Sequence, residues 1–451
     1  MLKRIAREWF GDFDRQELKK FIFLGVIFGF IIGIYWVLKP VKNSVFMSMV
    51  GAKKIGHVKI FSLLALFPLV MILGKLMDMF PRHRILYVLG ILYSLITLLF
   101  GFLLADPTIG LPNTVADSSR MLGWIWYIFV ESYGSIVVAS FWAFAIDITQ
   151  PESAKRGFPL VVLIGQFCSL LGPLYLTPLA SSNRWGSSAY VIMFASLLIL
   201  CIVGLVATFI RVTPKDQMIG YRQSKASSNK KLGFLKGLTL LLSQPYLLGI
   251  FAIVGMYECI LTVMDFHFIN FIELTIFDES SRVLYLGSFA LWVNLMACMS
   301  LVLGVSNIQR RLGVSVSLGL MPCIVAIAVV TFFLYPEINV LFWIMVGAKG
   351  LHYALNSPSI KQLYVPTSVD VKYKSQSWIE TFGSRLSRGV GSGINMLLEP
   401  FTACFGPAHG LAIHIAASSM FSLGLLFAWF AIALYLGKEY GEAIEEERVV
   451  C

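Results

Sequence analysis

Mainly apolar stretches of about twenty residues follow one another along the chain, separated by short polar segments. A helix of that length is what the hydrocarbon core of a bilayer requires. The pattern therefore predicts an all-α integral membrane protein with about twelve spanning helices. These spans 1–12 lie near residues 21–41, 59–80, 85–105, 122–147, 158–180, 187–211, 244–270, 282–304, 315–335, 338–356, 376–398 and 411–437.

The longest polar segment divides the spans into six and six. It is rich in Lys, Ser and Asn and has no hydrophobic period, which is typical of a linker. Residues 74–84, after span 2, resemble the short cytoplasmic loop of the major facilitator fold, so we expect two six-helix bundles of that type. The predicted parts are an interfacial segment at 1–20, bundles at 21–211 and 241–437, a cytoplasmic linker at 212–240 and a cytoplasmic tail at 438–451.

Ionisable residues inside the spans recur at every third span. A charge at the bilayer centre costs about 2.5–3.5 kcal/mol, so it persists only in a wet cavity or in an ion pair. Recurrence every third helix is what four three-helix repeats around a central cavity would produce, and this favours a transporter. The residues, in spans 1, 4, 7 and 10, are Lys39 and Lys42, Glu131, Glu258 and Asp265, and Lys349.

Composition and charge narrow the class of protein further. With 57% hydrophobic and 14% charged residues, the chain is not an ordinary soluble protein. The net charge of +11 does not indicate nucleic-acid binding, because the basic residues concentrate in alternate loops. The positive-inside rule then places both termini in the cytoplasm. The seven cysteines lack metal-ligand spacing and no nucleophile constellation is visible, so we expect no enzyme activity, cofactor, metal or obligate protein partner.

Span 11 is polar along one whole face, where two arginines stand three residues apart. Guanidinium groups bind phosphate in a fork, while lysine acts as a movable point charge, so phosphate is the best substrate class. The predicted phosphate-binding residues are Lys39, Lys42, Lys349, Arg385 and Arg388. The predicted gating or proton-coupling carboxylates are Glu131, Glu258, Asp265 and Glu380. Alternatively these charges pair with one another, which is compatible because a carrier without substrate must neutralise its own site.

Other polar and small residues suggest additional roles. His267 is interpreted as a packing or interface histidine, and Gly389 and Gly393 form a GxxxG pattern that predicts a close helix contact. Candidate contacts to a nucleobase are Tyr35, Trp142, Tyr257, Tyr353 and Asn356.

Four segments together resemble the bacterial and plastid nucleotide transporters, the ATP/ADP translocase family of intracellular bacteria. They are Tyr35–Val45, Glu131–Ser135, Lys349–Pro358 and Lys374–Arg388. The resemblance extends over nearly the whole chain. It implies a twelve-helix carrier of the cytoplasmic membrane that exchanges ATP for ADP, imports nucleoside triphosphates with protons, or moves related nucleotides such as NAD.

The resemblance also implies roles for individual residues. Lys42 matches the family lysine implicated in transport, and Glu131 falls on a functional glutamate. The functional glutamate of span 7 matches Glu258 or Asp265, and Arg388 stands where a functional lysine is usual.

The chain departs from the family pattern at three further places. Lys39 replaces an arginine, Asn43 replaces an aspartate, and Ile360-Lys361 replaces a Lys-Glu pair. The alternatives to ATP/ADP exchange are therefore proton-coupled import of other nucleotides or of another phosphorylated metabolite. A scaffold or sensor that transports nothing is the remaining alternative.

Overall fold

The computed structural model describes residues 14–181, 188–214, 241–302, 306–364, 366–367, 379, 383–446 and 448–450. Within these residues the chain is helical and contains no strand. Short 3₁₀ helices occur at Ala52–Lys54 and Thr177–Ser181, and a π-helical turn at His352–Asn356. The α-helices are α1 (Arg15–Met49), α2 (Ile55–Met79), α3 (Arg82–Ala105), α4 (Met121–Asp147), α5 (Pro151–Tyr175), α6 (Ser188–Val212), α7 (Pro245–Thr275), α8 (Glu279–Val302), α9 (Ser306–Leu334), α10 (Ile338–Leu351), α11 (Ser357–Leu363), α12 (Ser384–Met396), α13 (Leu398–Phe405) and α14 (Pro407–Glu445).

Ten helices of the described chain are long and apolar enough to cross a membrane. They are α1–α9 and α14, and they correspond to predicted spans 1–9 and 12. Span 10 begins as the 14-residue helix α10 and continues through the π-helical turn into α11. Span 11 contains α12, while residues 380–382 before it lie outside the described residues. The all-α membrane fold is confirmed, and span 10 passes through a π-helical turn.

Two compact units make up the chain. Unit 1 comprises Met1–Gly51, Leu64–Lys230 and Ile276–Leu291, and unit 2 comprises Ala52–Leu63, Lys231–Thr275 and Trp292–Cys451. The bundle boundaries expected from the sequence remain a prediction, and residues 215–240 of the expected linker lie outside the described residues.

The same helix neighbours recur in both units. In unit 1, α1 packs along α5 and α3 along α6. In unit 2, α7 packs along α12 and α9 along α14. Counted in spans, these pairs are 1 with 5 and 3 with 6, then 7 with 11 and 9 with 12. The packing pattern thus repeats after six spans, as expected for a transporter with internal repeats.

Close approach of α1 and α5 depends on glycine. A side chain at Gly33 would place its Cβ 3.1 Å from the carbonyl oxygen of Cys168. One turn further along α5, a Cβ at Gly172 would lie 2.5 Å from the carbonyl oxygen of Gly33. Small residues allow such contacts, and van der Waals packing is what joins helices in lipid. This packing fixes α1, the helix that carries the lysines of unit 1.

Candidate functional site

In unit 1 the intramembrane charges of α1 and α4 form an ion pair. The Lys42 ammonium binds the Glu131 carboxylate. Lys42 is almost fully buried, at 3% exposure, whereas Glu131 keeps 27%. The lysine nitrogen also lies 4.0 Å from the ring centroid of Tyr127, one turn before Glu131 on α4. A carboxylate and an aromatic face therefore share one buried cation, which offsets much of its desolvation.

Lys39 lies among aromatic rings one turn earlier on α1. Its ammonium is 4.4 Å from the ring centroid of Trp36 and 6.0 Å from that of Tyr35. The ring of Tyr35 in turn rests against the backbone of α4 at Gly134. All three side chains are half-buried. Sequence reasoning missed Trp36 and Tyr127, although each is one helical turn from a residue that it did select.

Trp142 lies in an aromatic cluster on another part of α4. Its ring centroid is 5.1 Å from that of Phe28, 5.5 Å from that of Phe141 and 5.3 Å from that of Phe158. These edge-to-face contacts are typical of apolar packing. Trp142 therefore packs against rings of α1, α4 and α5, and its role as a base contact stays a prediction.

Two of the ion pairs described in unit 2 are anchored on α7. The Arg388 Nε lies 2.9 Å from a carboxylate oxygen of Glu258, and the Lys349 Nζ lies 2.6 Å from one of Asp265. Glu258 and Asp265 stand two turns apart on one face of α7. The sequence left open which carboxylate is functional, and the structure gives each of them its own cation. The interpretation that the charges pair with one another is thus confirmed for three pairs.

The two pairs of unit 2 are more exposed than the pair of unit 1. Arg388 retains 50% of its side-chain exposure and Lys349 retains 19%. An exposed pair is weak, since water already solvates its charges. The Glu258 carboxylate therefore holds Arg388 only weakly.

The close contact between α12 and α7 occurs at Gly391. A Cβ at Gly391 would lie 2.7 Å from the carbonyl oxygen of Cys259, and Asn395 donates to the carbonyl oxygen of Thr262 at 3.1 Å. The close contact predicted through Gly389 and Gly393 is wrong, because a Cβ at Gly393 would have no atom within 4 Å and one at Gly389 would meet only the Leu63 side chain, at an ordinary 3.5 Å. Gly391 lies two residues from each, on the opposite face of the helix, and that face packs against α7.

Two further candidate base contacts in unit 2, Tyr257 and Asn356, both lie against the ring of His352. Tyr257 and His352 lie parallel, with centroids 3.9 Å apart and planes inclined by 5°. Asn356, also buried, places its side-chain nitrogen 3.1 Å from the His352 Nδ1. The sequence analysis missed His352, although it directly precedes the selected Tyr353.

The structure describes less of three other predicted site residues. Arg385, one turn before Arg388 on α12, is half-buried. Glu380 and the side chain of Tyr353 lie outside the described residues. Among the described residues, no group of three His, Cys, Asp or Glu side chains could hold a metal ion.

Solved transporter structures share this fold. The nucleoside transporter NupG aligns with a TM-score of 0.61 at 14% identity, over 92% of this chain and 98% of the other. A bacterial homologue of the human lysosomal transporter Spinster aligns with a TM-score of 0.59 at 13% identity, over 96% and 99%. At such low identity these matches establish the major facilitator type of fold and nothing about substrate.

Sequence comparison gives the family. ADP,ATP carrier protein 3 of Rickettsia typhi is 22% identical over 96% of this chain and 97% of its own length. ADP,ATP carrier protein 4 of Rickettsia conorii is 23% identical over 97% and 95%. The profile of the TLC ATP/ADP transporter family matches residues 3–120 and 119–342, which is most of the chain. The chain therefore belongs to the TLC ATP/ADP transporter family.

Proposed function

We propose that this protein exchanges ATP for ADP across a bacterial cytoplasmic membrane by alternating access. The observation that carries the proposal is the pair formed by Arg388 and Glu258, together with membership of the family. A half-exposed guanidinium on a carboxylate is a site where a phosphate can bind, because phosphate offers the same pair of oxygens to the guanidinium fork. The carboxylate neutralises the arginine whenever the nucleotide is absent.

The exposure of each cation suggests the order in which phosphate reaches them. Arg388 is half exposed and Lys349 keeps a fifth of its exposure, so these two meet the substrate first. Lys42 is buried between Glu131 and Tyr127, so phosphate reaches it only after the surrounding helices move. Lys39 and Arg385 assist from one turn away on their own helices.

The three paired carboxylates have two roles in this proposal. They bind the cations when no substrate is present, since an unpaired charge in the membrane is costly. When phosphate displaces Glu258 or Asp265, the released carboxylate becomes the natural acceptor of a proton. Coupled proton import of nucleotides is therefore the alternative to strict exchange, and it uses the same residues.

We further propose that both termini face the cytoplasm. The support is the concentration of Lys and Arg in the N-terminal segment and in alternate loops, together with an even number of predicted spans.

Variants of Arg388 in proteoliposomes test the site. Uptake of labelled ATP should show an apparent KM about tenfold higher in Arg388→Gln, a loss of about 1.4 kcal/mol in binding. Arg388→Lys keeps the charge but not the fork, and should lie between the variant and the wild type. Lys438→Gln is the matched control, because Lys438 is 77% exposed near the end of α14. An unchanged KM in Arg388→Gln would contradict the site. Uptake of another phosphate compound in place of ATP would contradict the proposed substrate but not the fold.

A further inference from the structure

A second polar cluster lies inside unit 2, away from the ion pairs. His267 of α7 faces His414 and Ser418 of α14, and the two imidazole centroids are 5.1 Å apart. Both histidines are buried, each with 1% exposure. His267 follows Asp265 by two residues, so the two side chains leave α7 on opposite faces. The expectation that His267 packs between helices is confirmed by these contacts.

Hydrogen bonds decide which nitrogen of each ring carries the hydrogen. With the Ser418 hydroxyl donating to the carbonyl oxygen of Ile415 at 3.2 Å, we assign the His267 Nε2, 2.9 Å away, as the donor to Ser418. The His414 Nε2 donates to the carbonyl oxygen of Ile394 at 3.0 Å. In the neutral rings, both Nδ1 atoms are therefore hydrogen-bond acceptors. Neither Nδ1 has a hydrogen-bond partner among the described residues.

A small cavity lies beside the His267 ring. Its lining includes His267, Ser419, Ser422 and Met264, and its volume is about 10 Å³, measured over the centres of water-sized spheres. A cavity of about 10–15 Å³ on this measure is the smallest that holds one water, provided that two to four polar groups surround it. The Ser422 hydroxyl already donates to the carbonyl oxygen of Ser418, so its oxygen is free to accept.

We propose that this cavity is a binding site for a single internal water. The water donates to the His267 Nδ1 and to the Ser422 oxygen, and it accepts from the Ser419 hydroxyl. Three bonds are the usual number for a buried water. The site satisfies a buried acceptor that would otherwise lack a hydrogen bond. Helix α7 thus carries ion pairs on one face and a hydrated contact with α14 on the other.

Radiolytic footprinting of the whole protein in detergent tests the site. X-ray pulses generate hydroxyl radicals from ordered internal water, and these oxidise the nearest reactive side chain even where bulk solvent has no access. Met264 lines the cavity at 2% exposure, and Met321 and Met345 are controls of the same unit at 0%. We expect several-fold faster conversion of Met264 to the sulfoxide than of either control. Equal rates at all three methionines would overturn the proposal.

Two variants link the signal to the polar lining. His267→Phe removes the acceptor and keeps an aromatic ring, so Met264 oxidation should fall several-fold towards the rate of the controls. Ser422→Ala removes the second acceptor with a smaller change in volume and serves if His267→Phe does not fold. Fast oxidation of Met264 that survives both substitutions would mean that bulk solvent, and not a bound water, reaches this residue.

Discussion

Replacing Glu131 by Gln should destabilise the protein more than the same change at Glu258. Lys42 has 3% exposure, so Glu131→Gln leaves a buried ammonium without its carboxylate. Breaking a buried pair in this way costs about 3–5 kcal/mol. The Tyr127 ring centroid, 4.0 Å from the Lys42 nitrogen, still stabilises the ammonium by about 1 kcal/mol. The Gln oxygen still accepts one hydrogen bond from it. The net loss is therefore about 2 kcal/mol.

At Glu258 the same substitution acts on an exposed pair. Arg388 keeps 50% exposure, so water solvates the guanidinium when the carboxylate is gone. Exposed pairs contribute about 0–1 kcal/mol. A change of 1 kcal/mol shifts the Tm of a unit of this size by about 3 °C. We expect Tm to fall by about 6 °C in Glu131→Gln and by about 3 °C or less in Glu258→Gln.

Thermal unfolding of both variants in the same detergent measures the difference. The double variant Lys42→Met with Glu131→Gln is the control, because it removes the stranded charge and should recover part of the lost Tm. An equal or larger loss in Glu258→Gln would refute the reasoning from burial, and so would a double variant less stable than Glu131→Gln alone.

Two more substitutions test the helix contact and a loop. Gly391→Ala forces α12 away from the Cys259 carbonyl oxygen and should cost about 1–3 kcal/mol of stability. Gly393→Ala is the control and should not lower the Tm, because its Cβ would have no atom within 4 Å. Equal effects of the two substitutions would contradict the contact. In the loop after α3, hydrogen bonds from the Thr108 hydroxyl and from the Thr108 and Ile109 amides hold the pKa of Asp106 below its ordinary value of 3.8. A depressed native pKa stabilises the fold above pH 3.8 and loses that contribution as pH falls through the lower native value. Asp106→Asn should therefore flatten the loss of Tm that the wild type shows on acidification from about pH 5 to pH 2, and an unchanged acid slope would contradict the assignment.

Most of the fold could be predicted from the sequence because its signals are local. Length and hydropathy identify spans 1–9 and 12 without knowledge of their neighbours. Spans 10 and 11 were harder to delimit, since their polar residues weaken the same signal. The glycine contact was predicted on the wrong face because a GxxxG pattern marks a small surface but not the helix that meets it.

The charged residues were predictable as a set, but their partners were not. An ionisable residue in a membrane must be paired or hydrated, and this rule selected Lys42, Glu131, Glu258 and Asp265. Which cation binds which carboxylate depends on tertiary packing, so both carboxylates of α7 remained candidates. The aromatic neighbours Trp36, Tyr127 and His352 were missed because aromatic residues make up 14% of the chain and no single one stands out.

The measurement that tests the central claim most directly is uptake of labelled ATP into liposomes containing the purified protein, with and without ADP inside. The account predicts rapid uptake that requires internal ADP and is stoichiometric with ADP release. Uptake into empty vesicles that follows an imposed proton gradient would contradict exchange and indicate proton-coupled import. Absence of ATP uptake under both conditions, from protein that is folded by its Tm, would contradict the claim that this chain carries ATP.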